Sequence, residues 1–310
     1  DDLAVKAESH QIPSLPCRNA GVRLGEENLS SIFYKHGTER FYLKSASFET
    51  DLIIEEPEQV LYQRVMGALG YTKNKKAFEE LARRLPFGVI ESIVQEQEPV
   101  DRTLMLQALL LGSAGLLPSQ CDGKSKLSHF NIIGNLDRTW DSLNIDDSMS
   151  YADWHFFRMH PKNFPTSRLL AAGYLLDRYL EEGLLKQVLS LVRELNPGKG
   201  ATKIEHSFIV PDLLGQARAR EITVNVVLPF FYSWAQMNTQ NELKYHVFDL
   251  YETYPRLAEN QITRYLNEIF WGNSKPGRVK SAKQQQGMIH LYKTFCQDQR
   301  CDGCSMATNY

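Results

Sequence analysis

The sequence predicts an all-α protein of about ten helices, and three observations carry that prediction. From about Asn28 onward, apolar residues recur at i, i+3 and i+4, the spacing of one helix face. Prolines, glycines and small hydroxyl residues interrupt that period where helices start and stop. The one β-branched run, in "RAREITVNVVLPFFYSWAQM", is long and flanked by arginines, which suits a buried helix kinked at Pro229 better than a strand.

Taken in order, residues 1–27 form an irregular lead-in, with prolines and glycines and no sustained period. "EEPEQVLYQRVMGALGY" puts Pro57 in a first helical turn and Leu61, Val65 and Leu69 along one face. "NKKAFEELARRLP" is an amphipathic helix stopped by Pro86. "DRTLMLQALLLGSAGLLP" is apolar nearly all round and predicts a buried central helix. Residues 118–150 are polar and loop-rich, with room for one helix. In "FPTSRLLAAGYLLDRYLEEG", Thr166 is the expected N-cap and Gly183 the stop. Helices over "GLLKQVLSLVRELNPGKG", "ELKYHVFDLYETYP", "LAENQITRYLNEIFWG" and "KSAKQQQGMIHLYKTF" complete the pattern. The expected division is 1–27, a helical part at 28–117, a connection at 118–150 and a second helical part at 151–310. These parts form one domain or two packed ones.

Composition narrows the function classes. Of 310 residues, 43% are hydrophobic and 23% charged, a globular balance that can build a large core. A net charge of −2 gives no global basic field, so any nucleic-acid contact must come from a local patch. No apolar run approaches the ~18 residues of a membrane span. Five cysteines, three of them bunched, suit reduced thiols and a cytoplasmic protein rather than a disulfide framework. There is no phosphate-binding glycine loop, H-E-x-x-H or nucleophile elbow in the sequence.

Three constellations remain. Cys296, Cys301 and Cys304 follow C-x4-C-x2-C, a spacing in which one short turn presents two thiolates to zinc or an iron–sulfur cluster. A fourth ligand would come from Cys17, Cys121 or His290, and Cys17 in "IPSLPC" is the most attractive. Ordinary terminal thiols are the competing reading. The turn "WHFFRMHPKNFPTSR" gathers Arg158, His160, Lys162, Asn163 and Arg168 before a helix start, an arrangement that can hold an anion such as phosphate. Aromatic packing of that turn is the plainer explanation. Finally, Glu221 and Asn225 share a face in an apolar segment after Arg220, predicting a buried polar network in which Arg168 or Arg158 pairs with Glu221.

Several stretches together resemble an uncharacterised bacterial family, the domain-of-unknown-function family 2851. They are "GTERFYLKSASFE", "EQVLYQRVMGALGYTKNKKAFEELARRLP", "LQALLLGSAGLLPSQ", "FRMHPKNFPTSRL", "AREITVNVVLP", "YPRLAENQITR" and "QQGMIHLYKTFCQDQRCDGC". The resemblance implies a longer protein with a β-rich upstream segment that this chain lacks. It implies a recurring element like "SLPC", which supports Cys17 as the fourth ligand. It also implies a distant likeness to metal-dependent nucleases, some of which hold an iron–sulfur cluster with one early and three late cysteines. The leading expectation is therefore a helical module of a nucleic-acid-processing protein, stapled by zinc or an iron–sulfur cluster at Cys17, Cys296, Cys301 and Cys304. Its partners are nucleic acid or the missing segment. The rivals are a scaffold without chemistry and a phosphate-binding enzyme using the Arg158–Arg168 turn.

Overall fold

The computed structural model describes residues 15–94, 99–121, 133–197, 202–272 and 279–308. Among them the regular structure is helical, with no strand and only isolated bridge residues such as the Val210–Leu214 pair. It divides into two compact units at boundaries other than those expected. Unit 1 comprises Asp1–Phe41 with Ala258–Tyr310, and unit 2 comprises Tyr42–Leu257. The long helix α1 (Ala20–Ile54) begins in the first and ends in the second. It starts earlier than the sequence suggests and is broken at Gly25, whose φ of 76° lies in the left-handed region.

In unit 2 come α2 (Pro57–Leu69), α3 (Lys75–Arg84), α4 (Phe87–Val94), α5 (Pro99–Ser113), α6 (Ile133–Ser142), α7 (Pro165–Tyr179) and α8 (Leu184–Glu194). They are followed by α9 (Thr202–Phe208), α10 (Gln216–Ile222), α11 (Leu228–Met237) and α12 (Asn241–Thr253). The predicted central helix is α5, whose Leu106, Leu109, Leu110 and Leu111 are fully buried. Pro57 and Pro86 act as expected at the start of α2 and just past the end of α3.

Two local expectations are corrected. Pro165 takes the first position of α7, so Phe164 is its N-cap and Thr166 lies buried inside the first turn. The β-branched run is helical but not simply kinked. Thr223–Val227 forms a π turn, and Pro229 follows it at the start of α11 within a continuous helical backbone.

Unit 1 packs the first part of α1 against α13 (Gln261–Trp271), α14 (Ala282–Leu291) and α15 (Ser305–Thr308). Leu29, Phe33, Leu266, Phe270, Met288, Leu291 and Met306 make its core. Helix α14 is held at its start by a capping box between Ser281 and Gln284. Its approach to α1 is unusually close. A Cβ added at Gly37 would sit 2.2 Å from the Lys283 carbonyl oxygen, and one at Gly287 would sit 2.0 Å from that of Phe33. Only hydrogen at both positions allows the two backbones to touch.

That contact is testable. Because the obstacle is backbone, Gly287→Ala should lower the stability measured by chemical denaturation by about 1–3 kcal/mol. Gly88→Ala, at a glycine with nothing within 4 Å of the added carbon, should be neutral or stabilising by up to ~1 kcal/mol.

Candidate metal centre

Four of the five thiols meet in the core of unit 1. Cys17 and Cys304 are buried in its apolar cluster, and the half-buried Cys296 and Cys301 pack against it. Each arrives by a different local device. Cys17 sits on a turn whose Asn19 adopts a positive φ of 58° and donates its backbone N–H to the Ile269 carbonyl at 2.9 Å. After α14 the chain widens into a π turn over Tyr292–Cys296, closed by Gln297 N–H donating to the Tyr292 carbonyl at 2.9 Å. That turn delivers Cys296. A short 3₁₀ turn, Cys301–Gly303, then places Cys301 and Cys304 around one bend, with the Cys304 N–H donating to the Cys301 carbonyl at 3.0 Å. Arg23 ties the two segments by donating to the carbonyls of Pro16 (3.3 Å) and Met306 (3.2 Å).

The electrostatics show that these sulfurs share one environment. Burial first, and then the nearby Cys304, Cys17 and Cys301, push the Cys296 thiol up to about 12. Cys17 and Cys304 are also raised, chiefly by burial. At Cys304 the backbone N–H groups of Met306 and Ala307 work the other way and favour the thiolate. Without a cation Cys17, Cys296 and Cys304 resist ionisation, a balance that a bound metal would invert.

The other two candidate ligands are placed elsewhere. Cys121 belongs to unit 2, where its thiol donates to the Gly115 carbonyl at 3.5 Å. His290 lies on α14 beside Glu39 and His36.

The anion-binding turn is only partly assembled. Asn163 and Arg168 meet, with Arg168 Nη2 donating to Asn163 Oδ1 (2.6 Å) and to the Tyr71 hydroxyl (2.7 Å), and Nη1 to the Leu213 carbonyl (2.6 Å). Arg168 is buried, and burial lowers its pKa. Arg158 and His160 take no part in this set. The Arg158 guanidinium lies over the Phe157 ring, and His160 accepts from the Lys162 N–H at 3.3 Å.

The buried polar network differs from expectation. Glu221 is more than a third exposed and pairs with Arg218 at 2.7 Å, not with Arg168 or Arg158. Asn225 accepts from Lys44 and donates to the Glu221 carbonyl at 2.9 Å. Arg220 turns to a different carboxylate, Glu205, whose side chain is 2% exposed. Glu205 accepts from Arg220 Nε (3.0 Å), Gln216 Nε2 (3.2 Å) and the Tyr254 hydroxyl (2.7 Å). The sequence reading missed Glu205 because "TKIEH" shows no apolar run long enough to mark it as internal.

Comparison with known proteins adds one result. The family model described as "Protein of unknown function (DUF2851)" matches residues 4–260. The chain belongs to this family. No curated protein and no solved structure matches it. The matched part of this DUF2851 chain includes Cys17 and ends before the cysteine triplet. Among the described residues, no helix is long and apolar enough to cross a membrane.

The two carboxylates separate cleanly by substitution. Glu205→Ala should cost about 3 kcal/mol, because it strands the Tyr254 hydroxyl and one side of a buried pair. Glu221→Ala should stay within ~0.5 kcal/mol in the same denaturation assay.

Proposed function

We propose that unit 1 is a thiolate metal-binding module in which Cys17, Cys296, Cys301 and Cys304 hold an iron–sulfur cluster as a structural staple. The observation that carries this reading is the convergence of four thiols, from two segments far apart in sequence, on one apolar cluster. Four soft donors suit a closed site that fastens chain segments rather than one that binds substrate.

The C-x4-C-x2-C spacing with one early cysteine suits a polynuclear cluster, which spreads its thiolates over several irons. The staple would serve a nucleic-acid-processing protein whose catalysis lies in other segments. That wider assignment is supported by the one-early, three-late cysteine order that the sequence shares with cluster-bearing nucleases.

Purification without oxygen, followed by visible spectroscopy and iron and sulfide analysis, tests the site. The wild type should show broad visible absorption with matching iron and sulfide. Cys17→Ser and Cys304→Ser should each lose most of the iron and melt at least about 5 °C lower. Absence of iron with unchanged melting in both variants would overturn the module. Zinc in place of iron would overturn the cluster while keeping the four-thiolate site.

A further inference from the structure

Beside the thiols, and independent of them, unit 1 assembles a second set of ligand atoms. His36 and Glu39 stand three residues apart on α1, so they share one face of that helix. His290 comes from α14. The backbone contact at Gly37 and Gly287 presses these two helices together, with a Cβ at Gly287 falling 3.0 Å from the Gly37 nitrogen. The three side chains meet as a result. Glu39 Oε2 lies 2.7 Å from His36 Nδ1 and 3.5 Å from His290 Nε2. One ligand atom from each residue lies within 4.8 Å of the other two.

We propose that His36, Glu39 and His290 bind one divalent first-row transition ion and leave part of its coordination sphere open to solvent. Two imidazoles and a carboxylate are borderline donors, suited to zinc or ferrous iron rather than to the soft chemistry of the thiol site. For metal–ligand bonds near 2.1 Å, the edges between neighbouring ligands are about 3.0–3.5 Å, close to the spacing already present around Glu39. Little rearrangement is needed.

The surroundings fit the same role. The His36 Nε2 lies 2.9 Å from the Ser305 hydroxyl, so an Nε2–H donated there leaves the Nδ1 lone pair for the ion. The Phe295 ring stands edge-on to His36 at 6.2 Å and walls one side. His36 and His290 are 8% and 13% exposed, whereas Glu39 is 41% exposed, which gives the ion an entry route and room for water. The Arg40 Nε–H is donated to Gln286 Oε1 at 2.7 Å. Three protein ligands with open positions are the arrangement of metal sites that activate water or bind a substrate oxygen, in contrast to the closed thiolate staple.

Calorimetric titration of Zn²⁺ into the full chain, purified anaerobically with its thiol-held metal in place, tests this. Wild type should bind one further equivalent. Glu39→Gln should weaken that equivalent at least tenfold, His290→Ala should abolish it, and Ser305→Ala should weaken it less than His290→Ala. Cys304→Ser should retain it, so loss of the thiol site and loss of this one are read separately. No further equivalent in wild type overturns the proposal. So does equal binding by His290→Ala and Glu39→Gln, both checked for wild-type helical circular dichroism. A hydrogen-bonded His36–Glu39 pair with no affinity for Zn²⁺ would produce that result.

Discussion

The contact between α1 and α14 at Gly37 and Gly287 is the constraint on which unit 1 depends. Two helix backbones come so close there that any side chain would collide with a carbonyl oxygen. Both proposed ligand sets of this unit are arranged around that crossing. On one side it sets His290 against the His36–Glu39 face of α1. Further along α14 the same axis runs into the π turn that carries Cys296 toward Cys17 and Cys304. Two ligand sets of different softness thus hang from one helix pair. The thiols collect in the apolar interior, and of the second set only the Glu39 carboxylate opens toward water.

Unit 2 follows a different logic. Its centre is the leucine-rich α5, and its buried charges are met one by one. Glu205 is held by Arg220, Gln216 and Tyr254, and burial together with the Glu205 carboxylate drives the Tyr254 hydroxyl far above its ordinary pKa. Arg168 rests on neutral partners, namely the Leu213 carbonyl, Tyr71 and Asn163. Glu205 is taken up by these packing contacts, whereas Arg168 keeps its buried Nε without a hydrogen-bond partner. The polar interior of this unit thus accounts for packing, while both proposed ligand sets lie in the other.

Helices were legible in the sequence because their apolar period and their prolines are local signals. Pro57, Pro86 and the apolar α5 each act as the pattern requires. Errors arose where the answer depended on neighbours distant in sequence. Thr166 lost the cap position to Pro165, whose fixed φ suits the first helical residue. Glu221 looked internal because its segment is apolar, yet the carboxylate reaches solvent and the buried acid is Glu205, from a short helix with no strong period. The C-x4-C-x2-C spacing announced the triplet, and the choice of Cys17 rested on a lone thiol lacking another task. His36 and Glu39 had a readable three-residue spacing, but their partner His290 is joined to them only by the glycine crossing, which no local pattern reveals.

X-ray absorption at the iron edge, on protein purified without oxygen, examines the central claim most directly. The account predicts a first shell dominated by sulfur with a clear iron–iron vector, both lost when Cys304 is replaced by serine. A first shell of nitrogen and oxygen alone, with no iron–iron scattering, would contradict it.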